Sequence, residues 1–194
     1  MIEAALTPSG PYSLRLTARA DVWRSQLPEG RWAEACQAYD GTVIVHASCE
    51  RAVEETRFCL ALDDDTGEFH RRFARDRLLG PSVRALRGLR PRRKATVAHA
   101  TLRAICGQLI QASRALEIER AVLRFVGEDP PSREGLARLS PAELVRCGLA
   151  ASRAATLTRM ARTIDLEALK LSPTTALTRL GRERGVGPWS VGVV

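Results

Sequence analysis

The sequence predicts an α+β protein, with a small N-terminal antiparallel sheet domain followed by an all-α bundle. Three observations carry this. Apolar residues alternate with period two up to about residue 75 and recur with a helical period beyond it. The hairpin signal Tyr39-Asp40-Gly41 falls in the first part, whereas the proline-led helix starts Ser140-Pro141 and Ser172-Pro173 fall in the second. The charge changes with the pattern: residues 1–75 carry 9 Lys/Arg against 12 Asp/Glu, and residues 76–194 carry 21 against 10.

Tyr12 to Ala18 alternates as a half-buried strand does. Arg31 to Ala38 and Thr42 to Ala47 flank the Asp-Gly turn and predict a hairpin. A helix is expected near Cys49–Glu55, then a strand over Thr56–Leu62 and an acidic turn from Asp63 to Gly67. The period changes around Asp76 to Pro81, and Gly80-Pro81 reads as a linker, so the domains are set at 1–75 and 76–194. Ala95 to Cys106 is an amphipathic helix with Val97, Leu102, Ile105 and Cys106 inward and Gly107 as its C-cap. A helix from Ala112 to Val126 is broken by Asp129-Pro130-Pro131. Ser140 caps a third, and Ser152 to Ile164 forms a fourth with Ala155, Leu157, Met160 and Ile164 on one side.

With 45% apolar residues in 194, the chain can build a real core, and its formal charge is +8. It has no apolar run near the length of a membrane span and no basic-then-apolar leader, which gives the expectation of a soluble, cytoplasmic protein without a membrane partner. The five cysteines, at 36, 49, 59, 106 and 147, are too scattered for a metal cluster or a disulfide framework and read as small apolar residues. His46 reads as structural, and His70 and His99 lack acidic partners at ligand spacing, so no side-chain metal site is proposed. The excess of basic residues in the second part fits a nucleic-acid footprint.

The most informative stretch runs Leu180-Gly-Arg-Glu-Arg-Gly-Val-Gly-Pro-Trp-Ser-Val-Gly-Val-Val194. Gly185-Val186-Gly187 separates a helix opened by Ser172-Pro173 from one opened by Pro188. Gly185 permits a left-handed backbone and Gly187 carries no Cβ to keep a ligand away. Free amides of such a turn make an anion site, although glycines also serve simply to turn an αα-corner.

The string resembles the hairpin of the helix-hairpin-helix DNA glycosylases, and its Gly-Val-Gly-Pro-Trp-Ser core is most similar to the alkylpurine branch, the 3-methyladenine DNA glycosylases of type II. Ala104-Ile-Cys-Gly-Gln-Leu-Ile110 resembles the family's helix-end segment that enters the minor groove. The resemblance makes Leu109 the wedge that fills the gap left by an extruded nucleotide, with Gln108 beside it. An ordinary core leucine is the other reading. Trp189 stands where lyase-type relatives carry the lysine that attacks the sugar, so the resemblance implies a monofunctional enzyme in which water displaces the base. Its indole lines the base pocket and suits a cationic alkylated purine, or it packs between helices.

Further expectations come from the family. The partner is double-stranded DNA with alkylated bases, bound by a nucleoid-associated monomer through Gln108, Leu109, Gly185, Val186 and Gly187. No cofactor is required beyond a monovalent cation on the main-chain carbonyls of Gly181, Glu183 and Val186. Glu183, Arg184 and Val193 depart from the family pattern and leave the lesion range open. No acidic residue follows Glu183. The essential aspartate of the family is placed beyond Val194, so no catalytic residue is assigned and the chain is expected to be a C-terminally shortened, inactive helix-hairpin-helix bundle. A non-catalytic DNA-binding module is the alternative, and Trp189 argues against a third, a bifunctional glycosylase/lyase.

Overall fold

The computed structural model describes residues 1–168 and 172–194. The chain divides into two compact units, Met1–Arg93 and Lys94–Val194.

In the first unit, β1 (Ile2–Leu6), β2 (Val22–Gln26), β3 (Trp32–Gln37) and β4 (Val43–Ala47) form an antiparallel sheet in the order β1-β4-β3-β2. The expected hairpin is its centre: Ala35 lies opposite Val45, Gly41 has φ +92°, and Asp40 accepts from the Thr42 amide at 2.9 Å. Ala33, Ala35, Val43, Val45 and Ala47 are buried. Helix α2 (Glu50–Cys59) packs on this sheet and buries Ala52, Val53, Thr56 and Cys59.

Two expected strands are helices. Tyr12–Ala18 gives α1 (Leu14–Ala18), which Ser13 caps by accepting from the Leu16 amide, with Leu14 and Thr17 buried three residues apart. Over so few residues a single buried pair satisfies alternation and helical spacing alike. Thr56–Leu62 continues α2, because Ala52, Thr56 and Cys59 hold one helix face. The strands β1 and β2 had no reading from sequence.

The expected linker is also helical. Short helices α3 (Gly67–Phe73) and α4 (Gly80–Ala85) follow, with Pro81 in the first turn of α4. The first unit reaches Arg93 rather than residue 75 because backbone bonds hold 88–93 to it: Ser13 donates to Gly88 at 2.9 Å and Arg93 to Cys59 at 2.9 Å. Arg90 is 1% exposed. Its two terminal nitrogens donate to the carbonyls of Ser9, Pro11 and Ala61, and the guanidinium lies 5.0 Å from the Tyr12 ring centre, so three carbonyls and an aromatic face receive a charge whose Nε has no hydrogen-bond partner among the described residues.

The second unit follows the sequence closely. Helices α5 (Val97–Gly107) and α6 (Ala112–Val126) are joined by a short turn. A short α7 (Arg133–Arg138), absent from the sequence reading, leads to α8 (Pro141–Arg146), which opens with a full capping box between Ser140 and Glu143. After α9 (Ala151–Thr163) come α10 (Pro173–Gly181) and α11 (Pro188–Val193). The core gathers Leu102, Ile105, Ile118, Val122, Leu144, Leu157 and Met160. Ala155 faces solvent and Ala154 takes its expected place inside. Gly107 is the last helical residue rather than a left-handed cap, and Gln108 is the C-cap with φ −62°. Among the described residues no helix is long and apolar enough to cross a membrane.

Candidate nucleic-acid interface

The hairpin is built from its residues outward. Ser172 accepts from the Thr175 amide to start α10, and Leu180 anchors the end of that helix at 2% exposure. Gly185 takes φ +86°, the left-handed angle expected of it. It is required twice over, since a Cβ there would meet Thr156 Oγ1 at 2.6 Å. Gly187 has φ −96° and open space around its missing Cβ. Both glycines face solvent.

Val186 differs from its expected role. Its amide donates to the Glu183 carbonyl at 3.0 Å and its side chain packs on the core. The turn therefore closes on itself at 186, and its outward face is that of Gly185 and Gly187. Val191 and Val194 also pack on the core.

The turn is held from behind by α9. Thr156 and Arg159 both donate to the Arg184 carbonyl. The Glu183 carboxylate sits 3.2 Å from Arg179 and 3.6 Å from Arg159. Arg182 and Arg184 are exposed beside it.

The turn between α5 and α6 lies against the hairpin. Gln108 Nε2 donates to the Gly185 carbonyl at 2.9 Å and to Ser190 Oγ at 2.8 Å. Leu109 follows with φ +53° and is 98% exposed, so the reading of it as a core leucine is excluded. A leucine in the left-handed region is a costly conformation, and burial does not compensate it here. Trp189 is 56% exposed, and its Cη2 lies 2.9 Å from where a Gly107 Cβ would stand. The glycine at 107 thus serves close packing of the indole, and the tryptophan both packs and presents a face.

Sequence reasoning missed a buried carboxylate on α6. Glu119, 2% exposed, accepts from Lys94 at 2.8 Å and Arg103 at 2.7 Å, and His99 Nε2 lies 2.9 Å away. His99 therefore has an acidic partner, brought by the fold rather than by spacing along the chain. Burial alone would raise the Glu119 carboxyl, but the hydrogen bond from His99, the Lys94 charge and the Lys94 and Arg103 hydrogen bonds outweigh it and lower the group to about 2. Thr156 and Arg159, which donate to a backbone carbonyl far along the chain, and Ser190, which accepts from the distant Gln108 side chain, gave no signal either.

A short antiparallel sheet ahead of a helical bundle that ends in a glycine hairpin is a fold shared with solved DNA glycosylases. The whole chain superposes on the 3-methyladenine DNA glycosylase from Archaeoglobus fulgidus with a TM-score of 0.81 at 20% identity, covering 100% of this chain and 77% of that one. It also superposes on the 8-oxoguanine glycosylase/lyase from Clostridium acetobutylicum bound to double-stranded DNA, with a TM-score of 0.72 at 16% identity and coverage of 100% and 77%. At the level of sequence, no family model and no curated protein matches the chain.

Proposed function

We propose that the chain carries the DNA-binding and base-flipping parts of a monofunctional DNA repair glycosylase of the alkylpurine type, which acts on double-stranded DNA. The carrying observation is Leu109: an exposed leucine held in a left-handed turn, beside a hairpin in which Gly187 has open space where a side chain would stand. A base cannot be cut from its sugar while stacked, and an apolar side chain in the vacated space lowers the cost of keeping it out. The similarity in fold to two DNA glycosylases supports the class. The alkylpurine assignment rests on Gly-Val-Gly-Pro-Trp-Ser and on the half-exposed indole of Trp189, whose electron-rich face suits a cationic base. A tryptophan supplies no amine to attack the sugar, so water is the nucleophile.

The acid that assists this water is not assigned. Glu183 is committed to Arg159 and Arg179, Glu167 accepts from the Ala98 amide at 3.0 Å, and Asp165 accepts from the Ala168 amide at 3.3 Å. Residues 1–194 are therefore proposed to bind and open DNA without cutting it, which is also what a non-catalytic binding module would do. The carbonyls of Gly181, Glu183 and Val186 are proposed to hold a monovalent cation. Of these, the Glu183 carbonyl also accepts from the Val186 amide, and the neighbouring carbonyls of Arg184 and Gly185 accept from side-chain donors. An ion there would add a positive charge beside a bound phosphate.

Incubation with methylated duplex tests this reading. The expected result is retention of the duplex without release of free 3-methyladenine. Released base would overturn the claim of inactivity, and absence of binding at low salt would overturn the DNA-binding reading.

A further inference from the structure

An amide side chain next to a wedge has two possible uses. It can reach the edges of the opened bases, or it can hold the turn that carries the wedge. Gln108 is committed to the second. Its Nε2 has two hydrogens, and both are taken, one by the Gly185 carbonyl at 2.9 Å and one by Ser190 Oγ at 2.8 Å. Ser190 is 3% exposed, so the second bond is made inside the protein. On the same turn, the Trp189 ring abuts Gly107 closely enough that a Cβ would meet it at 2.9 Å. The end of α5 is thus tied to the hairpin turn by one hydrogen bond and to α11 by another and by packing.

Leu109 needs such a tie. It is 98% exposed at φ +53°, so its own side chain does nothing to hold the strained backbone in place. The constraint has to come from the neighbouring residue. Gly185, which accepts one of the bonds, is also the left-handed residue of the hairpin turn.

We infer that Gln108 is a positioning residue that locks the wedge turn onto the hairpin, so that backbone grip and insertion of Leu109 act as one rigid piece. With both Nε2 hydrogens so held, it has no donor left for a base edge. This deepens the proposed base-flipping reading and rests on it.

The test uses the 194-residue chain and a duplex carrying a fluorescent purine beside a mismatch, whose emission rises when the stack opens. Leu109→Ala and Gln108→Ala are each expected to lower the opened fraction about ten-fold, the loss expected for one or two hydrogen bonds in the second case. The double variant should lose no more than either alone, because both remove the same device. Ser190→Ala should shift opening the same way, by less, although its hydroxyl is buried away from DNA. Overall affinity should change less than about three-fold, since phosphate contacts dominate it.

Amide hydrogen exchange in the DNA-free protein supplies the second readout. Residues 107–111 and 185–191 should exchange faster in Gln108→Ala and in Ser190→Ala. Unchanged exchange in both, or additive losses for Gln108→Ala and Leu109→Ala with a silent Ser190→Ala, would overturn the inference and make Gln108 a base reader. If the wild-type chain opens no duplex, the base-flipping reading falls, while exchange still decides whether the tie exists. Should Gln108→Ala not fold, Ser190→Ala and Gln108→Glu, which removes the donor but keeps the shape, carry the same comparison.

Discussion

Gly185 and Gly187 do different jobs two residues apart, and the difference is measurable. At Gly185 both the +86° angle and the nearby Thr156 hydroxyl oppose a side chain. Gly185→Ala is expected to destabilise the protein by roughly 1–2 kcal/mol in thermal melting and to weaken DNA binding with it. Gly187 has open space and an ordinary φ of −96°. Gly187→Ala should leave melting within about 0.5 kcal/mol and still reduce affinity, because the methyl group would fill the space proposed for a phosphate. Wild-type affinity in Gly187→Ala would show that no phosphate sits there. The requirement at 185 was legible because a positive φ is a property of glycine itself. The inward-turned amide of Val186 was not, since which amide a turn buries depends on its exact closure.

Among the elements, α5 and α6 are joined by a feature that no local pattern announced. Glu119 draws Lys94, His99 and Arg103 together at 2.7 to 2.9 Å. Because its carboxyl is lowered from 4.5 to about 2 on folding, its stabilisation is complete above about pH 4.5 and is lost as pH falls towards 2. The shift corresponds to roughly 3 kcal/mol. Chemical denaturation between pH 5 and 2 should show this loss, and Glu119→Gln should flatten it and lower stability at neutral pH by leaving three donors around a neutral group. A pH slope unaltered in Glu119→Gln would assign the effect to other carboxylates. The longer helices, of 11, 15 and 13 residues, were legible because they give periodicity enough repeats to be distinctive. Leu14–Ala18 spans five residues and the sheet order β1-β4-β3-β2 joins strands distant in sequence, so neither had a local signature.

Across the whole molecule, charge separates less sharply than the sequence suggested. The unit Lys94–Val194 carries 15 Lys/Arg against 9 Asp/Glu, a net of +6, and Met1–Arg93 carries 15 against 13, a net of +2. Part of the basic stretch after residue 76 is thus bound up in the sheet unit, where Arg90 is buried and Arg93 pairs with Asp64 at 2.8 Å. DNA affinity should fall steeply with salt, and Arg182→Ala or Arg184→Ala, at exposed positions beside the hairpin, should each reduce the slope of log affinity against log salt by about 1. A slope unchanged in both variants would place the phosphate contacts elsewhere. The likeness in fold at 20% identity also belongs to this scale, because a core is preserved by volume and pattern long after individual residues have changed.

The sequence by itself determined most of the helical second half, the central strand hairpin and the glycine turn. Each is specified by residues close together, through periodicity, capping or a backbone angle that few residues tolerate. Only the tertiary structure decided that Gln108 meets Gly185, 77 residues away, that Glu119 collects three basic partners, and that residues 76–93 belong with the sheet. These depend on which surfaces the whole chain buries together, and a side chain far along the sequence carries no local sign of the carbonyl it will meet.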